Sequence, residues 1–568
     1  MVNAEAAAIL STISSILDIQ GENPFKVRAY QTAARTLEGL EVPIGTLIEQ
    51  KKLGDLPGIG PAIEEKLTEL DRTGRMKYYE ELRASIPPGL LEILRIPSLG
   101  PKKIKILWKD LGVKSIAELQ AACGAGKVAK LSGFGERTQA KILEGIALLG
   151  RSKGLFLVSQ ALDVARELLA YLRPVVIGAG IAGSLRRGKP VVHDVDIVSS
   201  AAKPREVIEH FARAPAVEEV IGKGDTKCSV RLTNGPQVDL RVVAEDEYAA
   251  ALLYFTGSKE HNVLLRARAI KKGWTLNEYG LFKGRKRFEA DSEEAIYKRL
   301  GLSYIPPELR EGRDEIELSE KGKLPQLIEP KDVMGILHVH TTWSDGTASI
   351  EDMAGKARKL GYKWMGLSDH SKAASYAHGL DEARLRKQMK EVAALNKTWK
   401  DFRILHGMEL DILPNGDLDL ADDLLGKLDF AIGSIHSRFD MSEKEMTDRI
   451  CRAVANKHFD VFGHPTGRLL LDRDGYRVDL ERVLQAAKEA GKVVELNANP
   501  HRLDLDDVHA RRAKELGVTL SIDPDAHSTA GLEDVEYGLL TARRAGLTAG
   551  DVMNSLTAEK VKARFARD

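Results

Sequence analysis

The 568-residue chain is 43% hydrophobic and 29% charged, which excludes a disordered polyelectrolyte and allows three to four globular domains. A formal net charge of +1 excludes a global polycation, so nucleic acid would have to be held by local patches or backbone N–H groups. Cys123, Cys228 and Cys451 lie too far apart for a disulfide framework or a thiolate zinc site and fit a reducing cytoplasm. No apolar stretch reaches the roughly 18–20 residues of a membrane span, and Met1 to Glu5 lacks the start of a secretory signal.

A short pattern then occurs three times. Leu56-Pro57-Gly58-Ile59-Gly60 precedes Pro61 to Leu70, Ile96-Pro97-Ser98-Leu99-Gly100 precedes Pro101 to Trp108, and Leu131-Ser132-Gly133-Phe134-Gly135 precedes Glu136 to Ile146. Each predicts a helix-hairpin-helix. Gly58, Gly60, Gly100, Gly133 and Gly135 let the turn backbone approach DNA phosphate, and the second helix presents its N-terminal N–H groups to the anion. Such a grip is independent of base sequence. The second copy has Ser98 where the others have glycine.

The next segment predicts a metal site. Gly183-Ser184 follows the apolar run Pro174 to Ile181 and suits a tight turn whose N–H groups approach phosphate. Arg187 adds charge-assisted hydrogen bonds to a β- or γ-phosphate. Val191 to Val198 is rich in β-branched residues and predicts a strand, so Asp194 and Asp196 share one face. Val238 to Val243 predicts a second strand carrying Asp239. Three carboxylates at one spot need cations, and Mg²⁺ or Mn²⁺ with substrate phosphate suits them. Two such ions activate an attacking hydroxyl and stabilise the leaving oxygen. Asp194 and Asp196 would hold both, and Asp239 the one at the attacking 3′-hydroxyl. Tyr254-Phe255-Thr256-Gly257-Ser258 follows.

A charged, proline-containing stretch ends near residue 332, and eleven of the fourteen histidines come after it. Many end apolar runs separated by helical stretches, the layout of a (β/α) barrel with its active site at the strand C-termini. His338, His340, His370, His436, His464 and His527, with Asp345, Glu409 and Asp525, are the candidate metal ligands. Mixed imidazole and carboxylate donors suit Zn²⁺, Mn²⁺ or Fe²⁺, and so many donors imply two or three ions. Such a cluster lowers the pKa of bound water for attack on a phosphoester.

In order and spacing, Gly183-Ser184-x-Arg186-Arg187-Gly188, Asp194-x-Asp196, Asp239-x-Arg241 and Tyr254 to Ser258 resemble the family X DNA polymerases, the polymerase β group. The resemblance implies that Ser184 and Arg187 hold the triphosphate and that Tyr254, Phe255 and Gly257 line the sugar pocket. It makes Asn262 a minor-groove contact, Arg266 a template contact and Lys227 a primer-phosphate contact. It also implies that Lys66 opens abasic sugars through a Schiff base. The nine histidine-region ligands match the metal motifs of the PHP family (polymerase and histidinol phosphatase).

The expected fold is multidomain, α/β and α+β. Residues 1–82 form a lyase-like helix-hairpin-helix domain and 83–150 a duplex-binding one. A polymerase β-like nucleotidyltransferase palm spans 151–255, and 256–318 bind the nascent base pair. A linker at 319–332 leads to a distorted (β/α) barrel of PHP type at 333–568. The expected protein is a cytoplasmic, monomeric repair enzyme that fills gapped or primed DNA from deoxynucleoside triphosphates and trims 3′ ends in the PHP half. The alternatives are a small-molecule nucleotidyltransferase, or a DNA-binding protein whose PHP domain is a small-molecule phosphatase.

Overall fold

The computed structural model describes residues 3–566 apart from Gly39, Glu41, Ser98 and Asn234. The second hairpin's Ser98 therefore lies outside the described residues. The chain divides into two units, 1–153 with 471–473, and the remainder.

The first unit is helical. Helices α1 (Asn3–Gln20) and α2 (Pro24–Glu38) bury Leu10, Ile13, Leu17, Tyr30 and Leu37 in one core. Helix α3 (Pro61–Thr73) follows the first hairpin turn, with proline at its start where the missing N–H costs nothing. Helices α4 (Pro101–Leu111) and α5 (Glu136–Ser152) follow the second and third turns. Their inner faces, Ile104, Leu107 and Ile142, join Leu90, Ile96 and Leu119 in a second core.

The second unit begins with a five-stranded sheet in the order β1-β2-β5-β4-β3. The strands are β1 (Gly178–Ile181), β2 (Asp194–Ser200), β3 (Val217–Lys223), β4 (Lys227–Leu232) and β5 (Gln237–Val243). Only β2 and β5 pair in parallel, and their register sets Asp196 opposite Asp239. Alternation explains the placement: Val195, Ile197, Val238 and Leu240 turn inward to the core, which leaves the aspartates on the other face. Helix α6 (Gly183–Arg186) caps this face, and α7 (Tyr248–Thr256) and α8 (Lys259–Lys271) follow the sheet.

Residues 323–329 form neither helix nor strand, yet Leu327 and Ile328 are buried, and the Ile328 N–H donates to Leu547 O at 3.0 Å. The connection is thus anchored at Leu327 and Ile328.

The barrel strands are β6 (Gly335–Val339), β7 (Trp364–Leu367), β8 (Arg403–His406), β9 (Glu409–Asp411), β10 (Ile432–Ser434), β11 (Val461–Phe462), β12 (Val493–Asn497) and β13 (Thr519–Asp523). They form one three-stranded and one five-stranded parallel sheet. Bridges Val339↔Ala526 and His370↔Glu409 join the two sheets. Because β8 and β9 are halves of one strand broken at Gly407 and Met408, the eight strands occupy seven positions in the ring. Both faces of the strands are covered, so they read as nearly continuous apolar runs. The (β/α) expectation holds with this break. Among the described residues, no helix is long and apolar enough to cross a membrane.

Candidate active sites

At the hairpins, a methyl group added to Gly60 or Gly100 would meet nothing within 4 Å. Internal packing therefore does not demand glycine there, and the turn surface stays open. Gly58 differs: its φ is +80°, and a Cβ would lie 2.6 Å from Thr32. Gly133 and Gly135 also have positive φ and open surroundings. Lys66 lies on α3, its Nζ 2.9 Å from Ala62 O and 4.9 Å from the Tyr78 ring centre.

In the palm, Gly183 has φ +62°, and a Cβ on it would fall 2.0 Å from Asp196 Oδ2. Only glycine brings the Ser184 turn this close to the carboxylates. Burial first, then Asp194 and Asp239, pushes the Asp196 carboxyl up to about 7. Burial and Asp239 also raise Asp194. Burial pushes Asp239 upward too, but hydrogen bonds from Gln237 and Lys227 outweigh it and leave the group low. Lys227 Nζ sits 3.0 Å from Asp239 Oδ2, so the structure places this lysine on a carboxylate. The directions fit a cation site: three like charges face one another, and protons or lysine offset them where a divalent ion would.

Arg187 donates from Nε to Glu311 Oε1 at 3.0 Å and also to Thr256 O. Glu311 in turn receives Arg544 from helix α9 (Val535–Arg544) at 2.8 Å and Lys189 at 3.1 Å. Burial would raise Glu311, but Arg544 and Arg187 hold its carboxyl down at about 2. Arg186 is bidentate on Glu293. Tyr254 and Phe255 meet edge to face at 5.3 Å. Asn262 donates to Tyr254 O at 2.7 Å, Gly257 has φ +68°, and Arg266 is exposed on α8.

In the barrel, all nine candidate ligands converge at the C-terminal ends of the strands. Glu409 is the hub: nitrogens of His338, His340, His370, His436 and His464 lie 3.1, 3.6, 3.0, 3.3 and 3.0 Å from its oxygens. Asp525 Oδ1 is 3.5 Å from His338 and 3.4 Å from His340. Asp345 faces His370 at 3.7 Å and His527 at 3.4 Å. Four overlapping groups among these residues, each with ligand atoms within 4.8 Å of one another, could hold metal. Both ring nitrogens of fully buried His340 and Nε2 of His338 lack hydrogen-bond partners, an arrangement that a bound ion would satisfy.

Without an ion, the cluster splits its protons. Burial and the neighbouring His527 and His370 push His340 down to about 3. Burial opposes charge on His436, but Glu409 and Asp411 prevail and raise it to about 10. Metal binding would release that proton.

His338 interrupts the regularity of strand β6. It has φ +57°, and the pairing of β6 slips between Ile336 and Val339. Asp525 (φ +52°) and His464 (φ +28°) are also left-handed. Each such residue costs on the order of 1–3 kcal/mol, so the surrounding fold over-determines these ligand positions.

Family models match along the chain: a helix-hairpin-helix domain at residues 1–76, a SAM-like helix-hairpin-helix tandem at 90–147, a DNA polymerase beta thumb at 251–311 and a PHP domain at 337–499. A Bacillus subtilis (strain 168) protein named DNA polymerase/3′-5′ exonuclease PolX is 39% identical over 568 residues, covering 99% of this chain and 98% of that one. The chain belongs to the family X DNA polymerases that carry a PHP domain. A protein named probable phosphatase from Thermoanaerobacter sp. (strain X514) is 32% identical over 234 residues, 39% of this chain and 90% of its own.

In this family X chain, two carboxylates that sequence reasoning missed orient the ligands. Glu495 Oε1 lies 2.5 Å from His338 Nδ1, and its other oxygen accepts from the His464 N–H at 2.6 Å. Asp411 Oδ1 lies 2.5 Å from His436 Nδ1. Each leaves the opposite ring nitrogen to face the cluster. Sequence signals existed: Glu495 interrupts the apolar run Val493-Val494-Glu495-Leu496, and Asp411 lies two residues beyond Glu409 on one strand.

Proposed function

We propose that the chain is a DNA-directed DNA polymerase filling short gaps in repair, with a PHP half that removes nucleotides from 3′ ends as a metal-dependent exonuclease. The register of Asp196 on Asp239, with Asp194 beside them and the Gly183 turn against Asp196, carries the polymerase reading. Asp194 and Asp196 would hold two Mg²⁺ or Mn²⁺ ions, and Asp239 the ion at the primer hydroxyl. Those ions would supply an activated nucleophile and charge neutralisation. Ser184 and Arg187 take the triphosphate, Tyr254, Phe255 and Gly257 the sugar, and Asn262, Arg266 and Lys227 the bases and primer phosphate. Arg187 and Lys227 exchange Glu311 and Asp239 for these partners when substrate arrives. The hairpin turns at Gly58, Gly60, Gly100, Gly133 and Gly135 grip the duplex backbone.

In the PHP half, the nine ligands would hold two or three Zn²⁺, Mn²⁺ or Fe ions. Lys66 supplies abasic-site processing, which borohydride trapping on an abasic-site oligonucleotide tests directly. The unpaired thiols of Cys123, Cys228 and Cys451 support a cytoplasmic protein, read here as a monomer.

The decisive experiment uses a one-nucleotide gap with a labelled primer and Mn²⁺ or Mg²⁺. Asp194→Ala/Asp196→Ala should lose extension at least about 1000-fold and keep shortening. His338→Ala/His340→Ala should do the reverse. Shortening that survives the histidine changes would remove the exonuclease from the barrel. The likeness of the PHP half to proteins named probable phosphatase supports a second reading, a small-molecule phosphatase. Turnover of a sugar phosphate well above that of single-stranded DNA would favour it.

A further inference from the structure

The rim of the histidine cluster carries an aromatic ring and a guanidinium to which the proposed chemistry has given no role. Tyr376 sits on the turn Ser375–Ala377, and its ring centre lies 6.2 Å from that of His370 and 6.4 Å from that of His436. Although it adjoins buried His370 and half-buried His436, Tyr376 is 67% exposed. The turn itself is fixed. Ala374 and Ala377 on either side are buried, the Ala377 and Gly379 N–H groups both donate to Ala374 O, and the Leu380 N–H donates to His370 O at 2.7 Å. A methyl on Gly379 would lie 1.9 Å from Ser371 O, so the chain presses closely there. The fold therefore spends rigid backbone on holding one ring out over the cluster mouth.

Arg502 approaches from the loop after β12. Its Nε lies 3.3 Å from Asp525 Oδ2, and its side chain is 21% exposed. Its backbone is pinned: Arg502 N donates to Asn499 O at 2.8 Å, and Arg468 Nε donates to Arg502 O at 2.9 Å. A metal ion on Asp525 would compete with this ion pair and turn the guanidinium's donors toward any oxyanion on that ion. His340 connects the two: its ring centre lies 4.5 Å from that of His370 and its Nε2 3.4 Å from Asp525 Oδ1, so Tyr376 and Arg502 border the same cluster.

We propose that Tyr376 and Arg502 form the subsite for the terminal nucleotide of a DNA 3′ end, Tyr376 stacking on its base and Arg502 contacting the scissile phosphodiester. A metal cluster alone recognises a phosphoester. An aromatic face beside it distinguishes a nucleotide from a plain phosphate, because every base offers a π-surface of the same kind. Arg502 supplies the fixed fork that a phosphodiester accepts. The assignment rests on the exonuclease reading of the barrel.

The test compares wild type, Tyr376→Ala, Tyr376→Phe and Arg502→Met on a 5′-labelled single strand with an ordinary 3′-terminal nucleotide and on the same strand ending in a tetrahydrofuran abasic residue, which keeps the phosphodiester and has no aromatic ring. Tyr376 is exposed, so its replacement leaves the core untouched. Tyr376→Ala should raise KM for the ordinary strand about 10- to 100-fold, the range that one stacked base supplies. Removal of the abasic-ended residue, which offers the ring nothing to stack on, should keep its wild-type KM in Tyr376→Ala, and Tyr376→Phe should behave as wild type on both strands. Arg502→Met should slow both substrates. A strand ending in 2-aminopurine, bound to Ca²⁺-loaded protein, should lose fluorescence on wild type and keep it on Tyr376→Ala, a readout independent of turnover. An unchanged KM for the ordinary strand in Tyr376→Ala, or equal losses on both substrates, overturns the subsite alone. Wild type that shortens neither strand overturns the exonuclease reading, and the subsite with it.

Discussion

The palm and the barrel both bring together side chains suited to metal, but in opposite ways. The palm offers carboxylates alone on a half-open sheet face. Without a cation, it balances them with a high Asp196 and a lysine on Asp239. The barrel offers mixed donors, most of them buried, and His338 and His436 already have Glu495 and Asp411 to aim them. On the proposed reading, the palm's ions would arrive with the substrate phosphates, while the barrel's would reside.

Three measurements can break or sharpen that contrast. The largest effect belongs to Gly183→Ala. Its methyl would meet Asp196, and its backbone would need φ +62°, so primer extension should fall about 100-fold or more. Exonuclease activity on the same primer should be unchanged. Equal loss of both would mean that the change damaged the fold. Next, Glu495→Gln should weaken retention of the barrel ions about 10- to 100-fold, read as metal content after dialysis against graded chelator. Its extension activity should match wild type. Retention equal to wild type would show that the walls alone hold the ions.

The smallest effect is one of pH. A carboxyl raised in the folded state, like Asp196 at about 7, contributes stability at low pH that is lost as pH rises through that value. An ion on the three aspartates reverses the loss. In a His338→Ala/His340→Ala background, Mg²⁺ should therefore raise Tm more at pH 8 than at pH 6, by a few degrees. An equal rise at both would mean that Asp196 is ionised throughout.

Much of this organisation is legible in the sequence, for a physical reason. The candidate carboxylates and imidazoles sit at strand ends or on alternating positions, where periodicity fixes their facing, so Asp194, Asp196 and the nine barrel donors can be read one by one. What periodicity does not carry is a partner from a distant strand. Glu495 reaches His338 across 157 residues, and only the barrel's closure brings them together. Glu311 escapes for the same reason: nothing near it announces that Arg187 and Arg544 will share it. The left-handed φ at His338 also escapes, because strand patterning cannot foresee a slip in pairing.

That shared carboxylate bears on how the protein can be dissected. Arg544 is 1% exposed, grips Glu311 and Asp507, and donates to the Arg187 carbonyl at 2.7 Å, while Gly188 packs on Leu540 of the same helix. A chain cut after the linker would keep every palm aspartate, yet lose one of the cations on Glu311 and uncover an apolar gap beneath Gly188. The two chemistries can be uncoupled by point substitution, but the halves are not interchangeable cassettes. Any graft of one onto another scaffold must carry helix α9 with it.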